Sequence, residues 1–140
     1  MESRARVEVR QWVQRAIALY RSAGKDETLA RIGDPEGSFV AGRRYIFVLD
    51  IDGKLLAHPY WKQLVGFNLA GITDSEGRAV VKEVTTRANK RGHGYTDYNW
   101  PLPNSKKELK KTIFFKRVDG MVLCSGFYSF KEDPLANFKL

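Results

Sequence analysis

The chain has 140 residues, of which 43% are hydrophobic and 29% charged, and its formal net charge is +8 at pH 7. This length fits one domain with one core, and the composition is that of a soluble globular protein. No apolar stretch approaches the roughly 20 residues that a membrane-spanning helix needs, and no signal peptide is visible at the start. We therefore predict one domain over residues 1–140, with an N-terminal helical segment over 1–32 and a sheet core over 37–130.

The single cysteine and the two histidines argue against a disulfide and against a metal site. Cys124 has no second cysteine to pair with, and it lies in an apolar run, which predicts a buried and inert thiol. His58 and His93 stand apart from each other without a cysteine cluster, so we predict no metal and no cofactor. The basic charge favours anionic partners such as nucleic acid, lipid headgroups or a carboxylate. Because Lys and Arg are scattered, with one dense group at 106–111, we interpret the excess as solvated surface and predict no nucleic-acid partner.

The first predicted element is a long helix over about residues 2–32. Apolar residues recur there at three- and four-residue steps, as in Val9, Val13 and Ile17. Gly24 interrupts the helix, and the breaker run of 33–37 ends it. The stripe also allows a rival function, in which the chain is a dimerisation module that pairs through this helix.

The remaining elements are strands and one further helix. Residues 43–50 are rich in β-branched and aromatic residues and predict a strand, and residues 54–58 predict a second, short strand. The two form a hairpin, because Asp and Gly in 50–53 tolerate a tight turn. An apolar, irregular stretch at 60–73 is interpreted as a lid, and a helix is predicted from a cap at Asp74 to residue 89. Strands follow at about 94–100, 110–118 and 121–130, with a polar excursion at 101–108. Hairpins at both ends of this order predict an α+β fold with a five-stranded antiparallel sheet and helices on it.

The Asp-x-Asp-Gly sequence of residues 50–53 resembles the motif of haloacid-dehalogenase-type phosphatases, in which a strand carries two catalytic Asp side chains. That family has a Thr after the Gly, whereas this chain has Lys54. It also needs a parallel sheet with long crossovers, whereas this chain turns straight back. A hairpin turn is therefore the favoured interpretation of Asp50 and Asp52, with a phosphohydrolase as the alternative.

Several short motifs in order resemble another family and cover most of residues 37–128. They are Tyr-x-Phe-x-x-Asp-x-Asp-Gly-x-x-x-Ala-His-Pro (45–59), Leu-Val-Gly-Phe-Asn-Leu (64–69), Asp-x-x-Gly (74–77), Gly-Tyr-x-x-Tyr-x-Trp (94–100), Lys-x-x-Phe (111–114) and Ser-Gly-x-Tyr (125–128). This set is similar to the single Cache sensor family. Tyr95 stands where the family commonly has Trp, and Lys110 where a Pro often precedes the Lys.

The resemblance implies a PAS-like sheet crossed by a long N-terminal helix, and a sensor without catalytic activity. It implies a pocket for a small organic acid such as pyruvate, lactate or acetate. It also implies a periplasmic or extracytoplasmic location, in signal transduction through chemoreceptors or kinases. The cytoplasm is the alternative location, since no signal peptide is visible. A basic module that binds nucleic acid or an anionic surface remains the non-enzymatic rival.

A carboxylate that leaves water needs a cation or several N–H and O–H donors in an otherwise apolar cavity. Lys111 begins an apolar strand and either points inward or reaches solvent along the surface. Strand alternation places Tyr95 and Tyr98 on opposite faces, so only one of them lines the pocket, and Tyr98 is the favoured one. The lid residues Trp61 and Phe67 would cover the pocket. The predicted ligand-binding residues are Tyr45, His58, Trp61, Tyr95, Tyr98, Lys111 and Tyr128.

Overall fold

The protein folds as one antiparallel sheet with helices on both faces. The computed structural model describes residues 2–101 and 108–128, and its elements within these ranges are α1 (Arg4–Ala23), α2 (Lys25–Ile32), β1 (Val40–Ala41), β2 (Arg44–Asp50), β3 (Leu55–Ala57), α3 (Val80–Arg91), β4 (His93–Pro101), β5 (Glu108–Val118) and β6 (Met121–Tyr128). Strand order is β1-β2-β6-β5-β4, and β3 pairs with β2 beside this path. Every pairing is antiparallel.

The α+β fold and the antiparallel sheet predicted from the sequence are confirmed, with differences at the edges. The sheet has a sixth strand, the two-residue β1, that the sequence did not predict. Strands β4 and β5 extend further than predicted, so Pro101 and Glu108 belong to strands. The rest of the predicted excursion, 102–107, and the predicted end of the last strand, 129–130, lie outside the described residues.

The N-terminal helix covers one face of the sheet. Its apolar stripe, Val9, Val13 and Ile17, is buried in a core cluster with residues of β2, β5 and β6. Gly24 has φ +88°, which an L side chain rarely adopts, and it separates α1 from α2 where the sequence predicted an interruption. The stripe is thus buried within the chain. Pairing of two chains through this helix stays a prediction.

The helix predicted to start at Asp74 starts six residues later, at Val80. The Asp74 carboxylate accepts the backbone N–H groups of Glu76 and Arg78, both at 2.9 Å, and closes a turn before the helix. Asp is favoured both at helix N-caps and in such turns because its side chain is a short acceptor for nearby backbone N–H groups. The predicted cap was therefore wrong, although the helix itself is present.

The second face of the sheet carries α3 and the segment between β3 and α3. Alternate residues of β2, namely Tyr45, Phe47 and Leu49, point to this face, and they join Tyr98, Ile113 and Phe115 in one buried cluster. Helix α3 adds Val80, Val81, Val84 and Ala88 to the same cluster. The candidate site lies here. No helix in the described part of the chain has the length and apolarity to cross a bilayer.

Candidate functional site

Lys111 is a charged side chain in the core of the domain. It is 1% exposed and has the same strand parity as Ile113 and Phe115, so it points to the α3 face. Its Nζ donates a hydrogen bond to the Tyr45 hydroxyl at 3.1 Å. The same atom lies 4.3 Å from the ring centroid of Tyr45, 5.3 Å from that of Tyr128 and 5.8 Å from that of Phe47. The Lys111 side chain therefore points into the core, and the alternative in which it reaches solvent along the surface is wrong.

The amine of Lys111 has aromatic rings around it and no described carboxylate within ion-pair distance. Its neighbours across the sheet are Tyr98 on β4 and Tyr128 on β6. Burial disfavours the charged form and lowers the pKa of Lys111 from 10.5 to about 7. An anion that entered this site would therefore meet an amine with no competing counterion among the described residues.

Gly126 makes room for the Lys111 side chain. It lies on β6 opposite Ile113, and a Cβ at this position would stand 2.6 Å from the Thr112 carbonyl oxygen and 2.8 Å from Cε of Lys111. Any larger residue would collide with the strand and with the lysine stem. The neighbouring Ser125 donates its hydroxyl to the Tyr45 carbonyl at 2.9 Å and holds β2 to β6 beside the site.

His58 is a second buried polar side chain on this face, and its proton position is fixed by the backbone. Its Nδ1 accepts the N–H groups of Tyr60 and Trp61, both at 3.0 Å. A ring nitrogen that accepts cannot carry the proton, so the neutral ring carries it on Nε2. Burial, with the charge of Lys111 as a smaller cause, lowers the pKa of His58 to about 3. The ring is therefore neutral at physiological pH and offers Nε2–H as a donor.

The Nε2 atom of His58 is buried and has no hydrogen-bond partner among the described residues. A buried donor without an acceptor costs free energy, so such an atom commonly marks a place for a ligand or an ordered water. The rings of His58 and Tyr45 lie 4.9 Å apart. Since Lys111 also contacts Tyr45, the lysine amine and the histidine donor flank the same ring.

Trp61 covers His58 from the side of the lid segment. Its ring is stacked on the imidazole at 4.7 Å with 5° between the planes. Trp61 also lines a cavity of about 240 Å³, together with Leu64, Leu69, Ile72, Thr73, Asp74, Ser75, Val80, Val81 and Asn99. Lys111 and His58 do not line this cavity, so the cavity and the buried amine are separate features. A void of about 10 Å³ shares the lining residues Val80 and Val81 with this cavity, and it is also lined by Phe47 and Tyr98, which are neighbours of Lys111.

The structure brings six of the seven predicted residues to this face: Tyr45, His58, Trp61, Tyr98, Lys111 and Tyr128. Tyr95 is the exception. It faces α1, where its hydroxyl donates to the Arg6 carbonyl at 3.1 Å, because strand alternation places it opposite Tyr98. Tyr95 therefore lies apart from the other six residues, on the opposite face of the sheet. Phe67 is 63% exposed and does not cover the pocket as predicted. Its carbonyl accepts the Leu55 N–H at 3.0 Å, so the backbone of this segment pairs with β3 while the ring faces solvent.

Phe47 was missed as a site residue, although alternation from Tyr45 along β2 would have found it. Its ring centroid is 5.8 Å from both Lys111 Nζ and the His58 ring. Gly126 belongs to the Ser-Gly-x-Tyr motif, but the sequence does not show why a glycine is needed there. The need arises because the Lys111 stem occupies the space beside it, which depends on the pairing of β5 with β6. Tyr60 packs edge-on against Tyr45 at 5.4 Å and was also not predicted.

The two residues of the phosphatase alternative hold a turn. Asp50 Oδ1 accepts the N–H groups of Asp52 and Lys54, both at 2.9 Å, directly after β2. The sheet is antiparallel and the chain returns at once into β3. Cys124 is buried, and burial raises its pKa, so the thiol is protonated. Across residues 2–101 and 108–128, no three His, Cys, Asp or Glu side chains are grouped as metal ligands.

Comparison with known families agrees with this architecture. A family model described as Cache domain matches residues 36–133, well over half of the chain. The chain belongs to the Cache domain family. The resemblance noted in the sequence is thereby confirmed.

Two curated relatives of this Cache domain are sensory proteins. The methyl-accepting chemotaxis protein McpP of Pseudomonas putida is 29% identical over 96 residues, which is 67% of this chain and 17% of McpP. The sensor histidine kinase MctS of Rhizobium johnstonii is 31% identical over 121 residues, which is 84% of this chain and 26% of MctS. The chain thus spans about a quarter or less of the length of these relatives.

Two solved structures share the fold of this Cache domain at 26% identity. One comes from work on carboxylic acid recognition by a Cache chemosensory domain; its TM-score is 0.75, and the match covers 86% of this chain and 90% of that one. The other is a periplasmic sensor domain of a chemotaxis protein, with a TM-score of 0.70 and coverage of 86% and 88%. Fold and family therefore place this chain among sensory Cache domains.

Proposed function

We propose that this Cache domain is a sensor module that binds a small carboxylate such as acetate, lactate or pyruvate at Lys111, without altering it chemically. The observation that carries the proposal is a buried amine that has no described acidic partner. A carboxylate leaving water needs charge-assisted hydrogen bonds to offset its lost hydration. Lys111 offers such donors, and His58 offers an N–H with no other described partner. The solved neighbour that recognises a carboxylic acid supports the same ligand class.

The aromatic residues give the proposed site its apolar wall. Tyr45, Tyr98 and Tyr128 surround the amine with rings and hydroxyl groups, and Trp61 stacks over His58. Charge-assisted hydrogen bonds are stronger where water is excluded. We therefore assign Lys111 and His58 to the anion, the tyrosines to the surrounding wall and Trp61 to the cover.

The test is calorimetric titration of acetate, pyruvate and L-lactate into the wild-type domain, Lys111→Met and Lys110→Met. A charge-assisted hydrogen bond contributes about 1.5–3 kcal/mol, so Lys111→Met is expected to weaken binding by about ten- to a hundredfold. Lys110 is exposed on the same strand. Lys110→Met removes the same charge from the protein, and affinity should stay within about twofold.

Two results would contradict the proposal. If the wild-type protein binds none of the three acids at millimolar concentration, small carboxylates are not its ligands. Equal affinities of wild type and Lys111→Met would remove Lys111 from the site.

We further propose that the domain acts outside the cytoplasmic membrane as the input of a chemoreceptor or a sensor kinase. Support comes from the two sensory relatives and from the periplasmic structural neighbour. The net charge of +8 is interpreted as solvated surface that attracts anions. Of the described aromatic side chains only Phe67 is strongly exposed, which argues against a stacking surface for nucleic acid.

A further inference from the structure

Each described element around Lys111 presents uncharged groups to its amine. The facing residues are Tyr45 and Phe47 from β2, His58 from the segment after β3, Tyr98 from β4, Cys124 and Tyr128 from β6, and the apolar side of α3 over the same cluster. Burial raises the pKa of Tyr98 and of Cys124, so this phenol and this thiol stay protonated near neutral pH. His58 is neutral for the same physical reason. The protein thus supplies no described negative charge to keep the amine protonated.

We propose that the site takes up a carboxylate and a proton together, with Lys111 as the proton acceptor, so that the domain senses acid concentration and pH jointly. This inference rests on the proposed function, because the carboxylate provides the missing counterion. The proton comes from solvent and forms the third N–H bond of the ammonium group. The ligand arrives as R–COO⁻, and no other bond is made or broken.

The direction of the pH dependence follows from linkage. In the free domain burial lowers the pKa of Lys111 to about 7, whereas a bound carboxylate favours the charged amine and raises that pKa. Above pH 7 the free amine is mostly neutral, so binding must also protonate it. Affinity should be nearly constant below pH 6 and fall toward tenfold per pH unit above pH 7, or about 30-fold between pH 6 and pH 8.5. Small carboxylic acids stay ionised across this range.

The experiment is calorimetry with acetate, pyruvate and L-lactate at pH 6.0, 7.0, 8.0 and 8.5. At pH 8.0 each binding acid is titrated in HEPES and in Tris, whose different ionisation enthalpies reveal the number of protons taken up. We expect about 0.9 proton per ligand at pH 8.0 and about 0.1 at pH 6.0. Lys110→Met should give the same numbers. His58→Asn, in which the amide oxygen can replace Nδ1 as acceptor, should bind more weakly but take up the same proton.

The outcomes separate this inference from the proposed function. If an acid binds without proton uptake and with the same affinity between pH 6 and 8.5, the coupled proton uptake is overturned. The proposed binding of a carboxylate at Lys111 is then still supported. Uptake that disappears in His58→Asn also overturns it, because the histidine would then be the acceptor. Absence of binding to all three acids at every pH overturns both.

A direct measurement keeps the test independent of variants that fail to fold. The ¹³Cε resonance of Lys111 in lysine-labelled wild-type protein is expected to titrate near pH 7 in the free domain and at higher pH with saturating acid. A midpoint near the ordinary 10.5 in the free domain would overturn the inference.

Discussion

Replacing Lys111 by Met should stabilise the domain at pH 6 even though it removes the proposed anion-binding group. The unfolded chain binds a proton at this lysine below pH 10.5, whereas the native state binds it only below about pH 7. Between these values the unfolded state holds more protons, so this group's contribution to native stability rises with pH over that window. Below pH 7 the full cost of the buried charge is present.

The magnitude follows from the same shift. A pKa lowered by about 3.5 units corresponds to a cost of about 5 kcal/mol at pH 6. Met retains the apolar stem but forfeits the hydrogen bond to Tyr45, which offsets about 1 kcal/mol. Replacing buried charges by apolar groups has stabilised other proteins by about 1–4 kcal/mol. We expect Lys111→Met to raise the free energy of unfolding by about 2–4 kcal/mol at pH 6.

Urea denaturation of wild type, Lys111→Met and Lys110→Met at pH 6 and pH 9 measures this gain. At pH 9 Lys111 is neutral in the native wild type, so part of the free-energy cost of the buried charge is absent. The difference in unfolding free energy between Lys111→Met and wild type should therefore shrink by about 3 kcal/mol. Lys110→Met, whose side chain is exposed, should show no such pH-dependent difference. A loss of more than about 1 kcal/mol in Lys111→Met at pH 6, or the same difference at both pH values, would refute the reasoning.

Three further predictions test the placement of single residues. Gly126→Ala should destabilise the domain by about 1–3 kcal/mol and weaken acid binding, because its Cβ would meet the Lys111 stem; unchanged melting temperature and affinity would contradict the close packing. Tyr95→Phe should leave affinity within about twofold and cost at most about 1 kcal/mol in thermal unfolding, and a tenfold loss of affinity would return Tyr95 to the site. Asp50→Asn keeps an acceptor for the turn and should change nothing in an assay for Mg²⁺-dependent phosphate-ester hydrolysis; wild-type turnover that this variant abolishes would restore the phosphatase alternative.

Strand alternation explains why much of the site was predictable from the sequence. Once β5 is recognised, Lys111 must face the same side as Ile113 and Phe115, and apolar neighbours at those positions indicate that this side is buried. The same rule predicts from the sequence that Tyr98 and Tyr95 lie on opposite faces. It does not say which of two faces holds the ligand, since helices cover both faces here.

Other features depend on contacts that no local pattern contains. The sequence predicts a helix cap at Asp74 because a cap and a turn use the same side-chain acceptor. The apolar character of Phe67 predicts a place over the pocket, although its ring is exposed while its backbone pairs with Leu55. The tautomer of His58 depends on two backbone N–H groups of the following turn. Each of these needed the path of the chain in three dimensions.

Strand β4 joins the two faces of the sheet through residues three positions apart. Tyr98 belongs to the buried cluster on the proposed ligand side. The single O–H of Tyr95 has two acceptors within reach, the Glu2 carboxylate at 3.0 Å and the Arg6 carbonyl at 3.1 Å, and its oxygen accepts from Arg10 at 3.2 Å. A displacement of β4 at Tyr98 would therefore also change the polar contacts of Tyr95 with Glu2, Arg6 and Arg10. The first turns of α1 are therefore the part of the opposite face that is most directly connected to the proposed ligand side.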